Sequence, residues 1–455
     1  MIVKKLNFYK NAMAMQQHSP SFIKFFLIQV LTNPRKFKFY NFYYKNLRSY
    51  KFFRYLAKYS YILTCYLLRK ILDSSIVPKK SFHLVRLKYF IKNKGIKKSR
   101  LIKLSTVKTI PPNFIPLKRI FFEKNEYPVV RFPEIYVARI NKAFVIGGSN
   151  FLIKDEEIVS HDLLNVSFDL TPEERHLRMH LKGSFLNLNE KFFTEKVASI
   201  GTAASFTDAL SMNYAHWITE VLPRIVSFCS NSKYKKVPII IDDGLHKNIM
   251  ETLKNIVGQR QVFLLPKNRI VKIGKLYSTS VAGYISYEPR NIFNQGSSSG
   301  KFNANAIKLL VRLLKPLGVK NTPSKIYVRR NSSYRNLTNQ NEIEALLREN
   351  EFKIVDTEKL SFFDQISYFS NAKVIIAPTG AALANLIFCN KKVNLAILAN
   401  DDRNMIYKYW VNLASIVGVK VTYITGKSQQ FFGGIHRDFY IDLNSIDAYI
   451  KLLRK

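Results

Sequence analysis

Acid is what this sequence lacks most. The 455-residue chain has 72 Lys and Arg against 31 Asp and Glu, a formal net charge of +41. In residues 1–100 the ratio is 23 basic residues to a single acid, Asp73, so about half of the excess lies in the first hundred residues. Such asymmetry points to an anionic partner: nucleic acid, an acidic lipid surface or an acidic polymer. A general lysine bias accounts for a share of it, since the excess continues mildly to the C-terminus. Cysteine is scarce as well. Cys65, Cys229 and Cys389 are odd in number and far apart, which excludes a disulfide framework or a cysteine metal cluster and fits a reducing compartment. Long apolar runs are missing too. Phe22–Leu31 is about half the length needed to span a bilayer and contains Lys24, and Tyr59–Leu68 is also too short. No apolar core separates "MIVKK" from "QQHSP", so no signal peptide is expected. These absences lead to the expectation of a cytoplasmic protein, soluble or peripheral at the inner face of the plasma membrane.

Apolar content is not lacking. At 47% hydrophobic residues the chain is not broadly disordered, and its length exceeds one ordinary core. Residues 1–105 mix Lys and Arg with Tyr and Phe, a combination suited to anionic lipid or to single-stranded nucleic acid. The segment holds no nucleic-acid module, so the membrane is favoured. From about 106 the pattern becomes α/β. "IYVARINKAFVIGG" reads as two strands with a turn at 140–142, and "NFLIKDEEIVSHD" as strand, turn, strand. Strands at "KVASIGT", "KVPIIID" and "RQVFLLP" alternate with helices, the pattern of a parallel sheet. After the Gly/Ser-rich 294–303, read as a linker, the alternation restarts and runs to the C-terminus. The expected organisation is a basic, mainly helical extension (1–105), a Rossmann-like domain (106–293), the linker, and a second Rossmann-like domain (304–455) facing the first across a cleft.

Three segments can carry chemistry. In "YAHWITEVLPRI", His216, Glu220 and Arg224 are spaced four apart, as on one helix face, with Trp217, Val221, Leu222 and Ile225 on an apolar stripe. Pro223 should kink or restart the helix near Leu222 and turn Arg224 off that face. In "IIAPTGAALANLIF", an apolar strand ends at Ala377 and turns through Thr379 and Gly380 into a helix start at Ala381, where free N–H groups suit a phosphate. In "SKIYVRRNSSYRN", a strand delivers Arg329 and Arg330 to its carboxyl end, with Arg335 in the loop, and arginine forks match diphosphate oxygens. Structural readings of all three stay open: a wet helix face, a tight strand–helix junction, a basic loop. "HLRMH" places His176 and His180 at helical metal-ligand spacing but lacks a third ligand, so no metal is expected there.

Together and in this order, these segments resemble glycosyltransferase family 61, especially bacterial members linked to capsule, lipopolysaccharide and other surface polysaccharides. The resemblance runs from about Phe132 to Gly426 and includes "FPEIYVARINKAFVIGGS" and "YKYWVNLASIVG". It implies a GT-B-like architecture, a nucleotide-sugar donor, a glycan or lipid-linked glycan acceptor, a hexosyl or pentosyl transfer with inversion, and neither metal nor cofactor. Many family members have His-Gly-Ala-Gly where this chain has Thr379-Gly380-Ala381-Ala382, so Thr379 would substitute with a hydroxyl. On this reading His216 or Glu220 is the base or its orienting partner, with Asp208 a further catalytic candidate. Arg329, Arg330, Arg335, Thr379, Gly380, Ala381 and Asn385 form the donor side. Nucleic acid is the disfavoured partner.

Overall fold

The computed structural model describes residues 2–5, a few positions between 42 and 60, 79–116, 129–175, 179–182, 184–189, 197–286, 288–289, 300–332, 335–402, 405, 407–429 and 436–454. Most of the two apolar runs near the N-terminus, His176, and residues 294–299 of the expected linker lie outside these.

Two sheets organise the chain. Its first strands are β1 (Ile2–Lys5), β2 (Lys79–Arg86), β3 (Lys98–Ile102) and β4 (Asn113–Ile115). They are followed by β5 (Ile135–Ile146), β6 (Leu152–Lys154), β7 (Glu157–Ser160), β8 (Met179–Lys182) and β9 (Phe185–Asn189). Then come β10 (Ala198–Ser205), β11 (Ile239–Asp242), β12 (Gln261–Leu265) and β13 (Ile270–Thr279). All but β4 form a 12-stranded sheet in the order β1-β12-β11-β10-β13-β5-β6-β7-β2-β9-β8, with β3 added on β5. Strands β1, β12, β11, β10 and β13 are parallel. The winding moves outward from β10 through β11 to β12, then returns to place β13 on the other side of β10. That reversal makes the carboxyl ends of β10 and β13 a natural crevice.

The other half of this sheet departs from the sequence reading. Residues 135–146 are one strand, not two, and pair antiparallel with β13 over nearly its whole length. Lys142 adopts a left-handed backbone (φ 53°) inside the strand without reversing it. The helical spacing inferred for His176 and His180 is not realised, because Met179–Lys182 is a strand. Nor are the described parts of residues 1–105 set apart as a helical extension. Strands β1, β2 and β3 are built into the sheet, and Phe82 of β2 is buried.

The second sheet contains β14 (Lys325–Val328), β15 (Lys353–Val355), β16 (Val374–Pro378), β17 (Asn394–Asn400), β18 (Val421–Ser428) and β19 (Phe439–Tyr440). Its order is β15-β14-β16-β17-β18-β19, and β4 joins β18. Strands β14 to β18 are parallel, and the winding reverses between β14 and β16. Strand β16 is buried at every position, as the continuous apolar run "VIIAP" requires of a strand covered on both faces. Ile375 and Ala377 look into one core, Val374 and Ile376 into another.

The first of those cores is common to both sheets. Trp217, Ile218, Val221 and Leu222, from the segment that follows β10, pack in one cluster with Leu310, Ile366, Leu383, Leu386 and Leu413 from the C-terminal half. The Gly/Ser-rich connection is fixed where it is described. The Gly300 carbonyl accepts from Asn412 Nδ2 at 2.8 Å, and Asn303 Nδ2 donates to the Lys103 and Pro133 carbonyls. Among the described residues no helix is long and apolar enough to cross a membrane.

Candidate active site

The segment after β10 is a helix with an interruption. Helix α1 (Tyr214–His216) starts under an Asn213 cap whose side chain accepts from the Ala215 N–H at 3.0 Å. A π-turn occupies Trp217–Val221, where the Leu222 N–H reaches back five residues to the Trp217 carbonyl. Helix α2 (Leu222–Cys229) then restarts as expected, with Pro223 in its first turn, where a missing N–H costs least. Pro223 has no N–H to offer the Thr219 carbonyl. Gly283 packs against that carbonyl so closely that a Cβ would stand 2.6 Å from it. Trp217, fully buried, anchors the turn and donates its indole N–H to Thr252 Oγ1 at 3.0 Å.

His216 Nδ1 and Glu220 Oε1 form a close hydrogen-bonded pair, and the side chains keep 17% and 16% of their exposure. His216 Nε2 makes no hydrogen bond among the described residues. The imidazole is therefore held on one nitrogen and reachable on the other. Burial works against its charged form, but the Glu220 and Asp208 carboxylates outweigh it and hold His216 above the ordinary histidine value. Burial pushes Glu220 up, against the pull of His216 and of a hydrogen bond from the Ile285 backbone.

Behind this pair lies a set of buried charges. Asp208 accepts from Asn150 Nδ2 at 3.0 Å and from the Leu210 N–H at 2.9 Å. Its own N–H donates to Asp242, which also accepts from the Gly148 N–H at 2.6 Å and is pushed up to about 6 by burial. Arg224 does not leave the site. It is 5% exposed, donates Nε to Thr279 Oγ1 at 3.2 Å, and interacts electrostatically with Asp208, Glu220 and Asp242. His161 lies nearby, its ring centroid 5.0 Å from that of Tyr284, and burial with the Arg224 and Arg86 charges pushes it down to about 3. Tyr284 and Ser286 both donate to Asp169.

The carboxyl ends of β14 and β16 form the second part. Arg330 lies against Gly380, where any side chain would displace its guanidinium. Thr379 is 3% exposed and its hydroxyl accepts from the Trp410 indole at 3.1 Å. Ala381 begins a 3-10 helix that runs to Phe388. Arg329 points elsewhere. Its fork is bidentate on Glu344, which is 3% exposed and also bound by Gln340 and Arg348. The Arg335 N–H donates to the His436 carbonyl at 3.3 Å. Asn385 is fully buried with both amide ends engaged: Oδ1 accepts from Tyr214 at 2.7 Å and Nδ2 donates to Gln365 at 2.8 Å.

The structure thus gathers His216, Glu220 and Asp208 in one place and Arg330, Thr379, Gly380 and Ala381 in another, with the side chains of Arg329 and Asn385 turned to protein partners. Two side chains span the halves beside His216. Tyr214 reaches Asn385, and Tyr409 lies 3.5 Å from Thr219 Oγ1. The sequence reading missed Tyr214, Gly283, Gln365, Tyr409 and Trp410. Only Gly283 carried a local signal, a glycine just past a strand end. Among the described residues no group of three or more His, Cys, Asp or Glu side chains is placed to hold a metal ion.

A reachable imidazole backed by carboxylates, beside a strand-to-helix turn with an arginine across it, has the elements of a group-transfer enzyme with an anionic leaving group. Residues 214–396 match the family model described as Glycosyltransferase 61, so this part of the chain is similar to that glycosyltransferase family. The match is narrower than the resemblance read over 132–426. It contains His216, Glu220 and every donor-side candidate, and leaves Asp208 just outside. No curated protein matches the chain.

Proposed function

We propose that the protein transfers a hexosyl or pentosyl group from a nucleotide-sugar donor to a hydroxyl of a surface glycan or lipid-linked acceptor, with inversion and without a metal or cofactor. The observation that carries this reading is the His216–Glu220 pair, with Nδ1 held and Nε2 reachable. His216 Nε2 takes the proton of the acceptor hydroxyl as its oxygen bonds to the anomeric carbon. The bond from that carbon to the diphosphate breaks on the opposite face. Arg330 and the N–H groups at Gly380 and Ala381 meet the leaving charge. Asp208 and Glu220 set the charge state of the imidazole. A GT-B-like arrangement, one sheet for acceptor and one for donor, is consistent with two winding reversals facing a common core.

The test is turnover and binding of the purified protein against a panel of nucleotide sugars, with and without EDTA. One donor bound and hydrolysed or transferred regardless of EDTA supports the reading; dependence on added divalent cation removes its metal-free part. The charge of +41 favours nucleic acid as the alternative. Steeply salt-dependent binding of nucleic acid with no nucleotide-sugar binding would put that alternative first.

We also propose a peripheral location at the inner face of the plasma membrane, mediated by residues 1–105. In support, Phe42, Tyr50 and Phe52 are 59%, 62% and 70% exposed. Binding to anionic vesicles should weaken on deletion of residues 1–78; unchanged binding would end the idea.

A further inference from the structure

At the far end of α2 from the His216–Glu220 pair lies a cavity of about 470 Å³. It opens between that helix end, β3 and helix α3 (Ala304–Leu314). The volume is in the range of small-molecule sites. Lys308 and Arg312 stand on its rim one helical turn apart, both exposed, and neither makes an ion pair or a hydrogen bond among the described residues. No carboxylate lines the cavity. Across from the cations, Ser230 and Asn231 offer a hydroxyl and an amide, with Leu309 as an aliphatic surface, while Asn305 spends its Nδ2 on the Lys103 and Leu104 carbonyls. Asn231 spends its oxygen on the Lys233 N–H at 3.0 Å, which leaves its NH₂ as the donor.

Each part selects for a chemistry. Paired cations without protein partners recognise carboxylate or phosphate. Amides and hydroxyls match sugar hydroxyls, and an aliphatic surface suits the C–H face of a sugar ring. From Glu220 to Ser227 the helix advances roughly 10 Å at about 1.5 Å per residue. We propose that this cavity binds a negatively charged saccharide, a uronate- or phosphate-bearing stretch of the acceptor glycan distal to the reacting hydroxyl. The inference rests on the transferase reading and specifies its acceptor as anionic.

The test measures binding of fluorescent hexagalacturonate, its methyl-esterified counterpart and inorganic pyrophosphate at fixed ionic strength. The proteins are the full chain, Lys308→Ala/Arg312→Ala, and the control Lys254→Ala/Lys353→Ala, which removes two exposed lysines elsewhere. The expected result is saturable binding of the charged hexamer, weakened about tenfold or more by the first pair and unchanged by the control. Equal loss in both variants, or none in the first, overturns the proposal. So does equally tight binding of the esterified hexamer, or pyrophosphate that competes as well as the saccharide. Because the readout is affinity, the two readings fail separately. Site-dependent hexamer binding without any sugar transfer removes the enzyme and keeps the cavity. Transfer that proceeds equally with charged and neutral acceptors in both variants removes the cavity and keeps the enzyme.

Discussion

The two sheets present their carboxyl ends in opposite electrostatic styles. Beside β10 and β13, Asp208, Asp242, Glu220, His216 and Arg224 are buried or nearly so and balance one another. Beside β14 and β16 the turn itself is neutral, Thr379-Gly380-Ala381, and of the two adjacent arginines one lies over the glycine while the other is engaged by Glu344. A group that must gain and lose a proton needs neighbours that set its charge. A group that must only receive a diphosphate needs N–H donors and one cation, with room for the backbone to approach.

The comparison can be broken most directly at His216. His216→Ala should lower kcat by about 10²- to 10⁴-fold in a protein that still unfolds cooperatively, with a small stability loss from the unpaired Glu220; undiminished turnover would take proton transfer away from the first sheet. Arg224→Met should come next, as a loss of stability of about 3–5 kcal/mol in urea unfolding, because it strips the cation from buried Asp242 and from half-buried Asp208 and Glu220. A wild-type midpoint would mean that those charges are not coupled. On the second sheet, Arg330→Ala should raise the donor Kd by about ten- to a hundredfold. Arg329→Ala should act mainly on stability, by about 1–3 kcal/mol, since it leaves buried Glu344 short of a partner. Calorimetry and melting of both variants would reverse the assignment if the pattern came out the other way.

A subtler test uses pH. Glu220 and Asp208 hold His216 above its ordinary value, so if His216 is the proposed base, it acts only above that raised value and kcat/KM should climb with pH through it. Glu220→Gln removes an anion from the imidazole, so its acidic limb should move down by about one unit. An upward shift, or none, would detach the carboxylate from the base. The smallest effect expected is that of Tyr214→Phe, about 1 kcal/mol of stability from one lost hydrogen bond between the halves.

Much of this was legible in the residues. The buried strand "VIIAP", the helix restart at Pro223 and the His216–Glu220 pairing all follow from local rules of period and proline chemistry. Arg329 and Arg330 were read as equals, although just past the end of β14 one forks onto Glu344, fifteen positions along, and the other lies over Gly380, partners no local pattern announces. Asn385 was read toward the donor because its partner Tyr214 lies 171 positions away, beyond any local pattern. The antiparallel half of the large sheet was hidden for a related reason. A left-handed Lys142 looks like a turn until a long partner strand holds it straight. Periodicity likewise says that Trp217 and Leu222 are buried, and cannot say that Leu383 and Leu413 of the other sheet bury them.

The π-turn at Trp217–Val221 holds one residue more than an α-helix of the same span would use. Removing a single residue there would let the segment close into regular helix and rotate His216 by about 100° relative to helix α2. The setting of the imidazole–carboxylate pair against helix α2 and its Arg224 is thus a matter of phase, written in the number of residues as much as in their identity, and a one-codon deletion that touches neither His216 nor Glu220 would turn the imidazole away from Arg224.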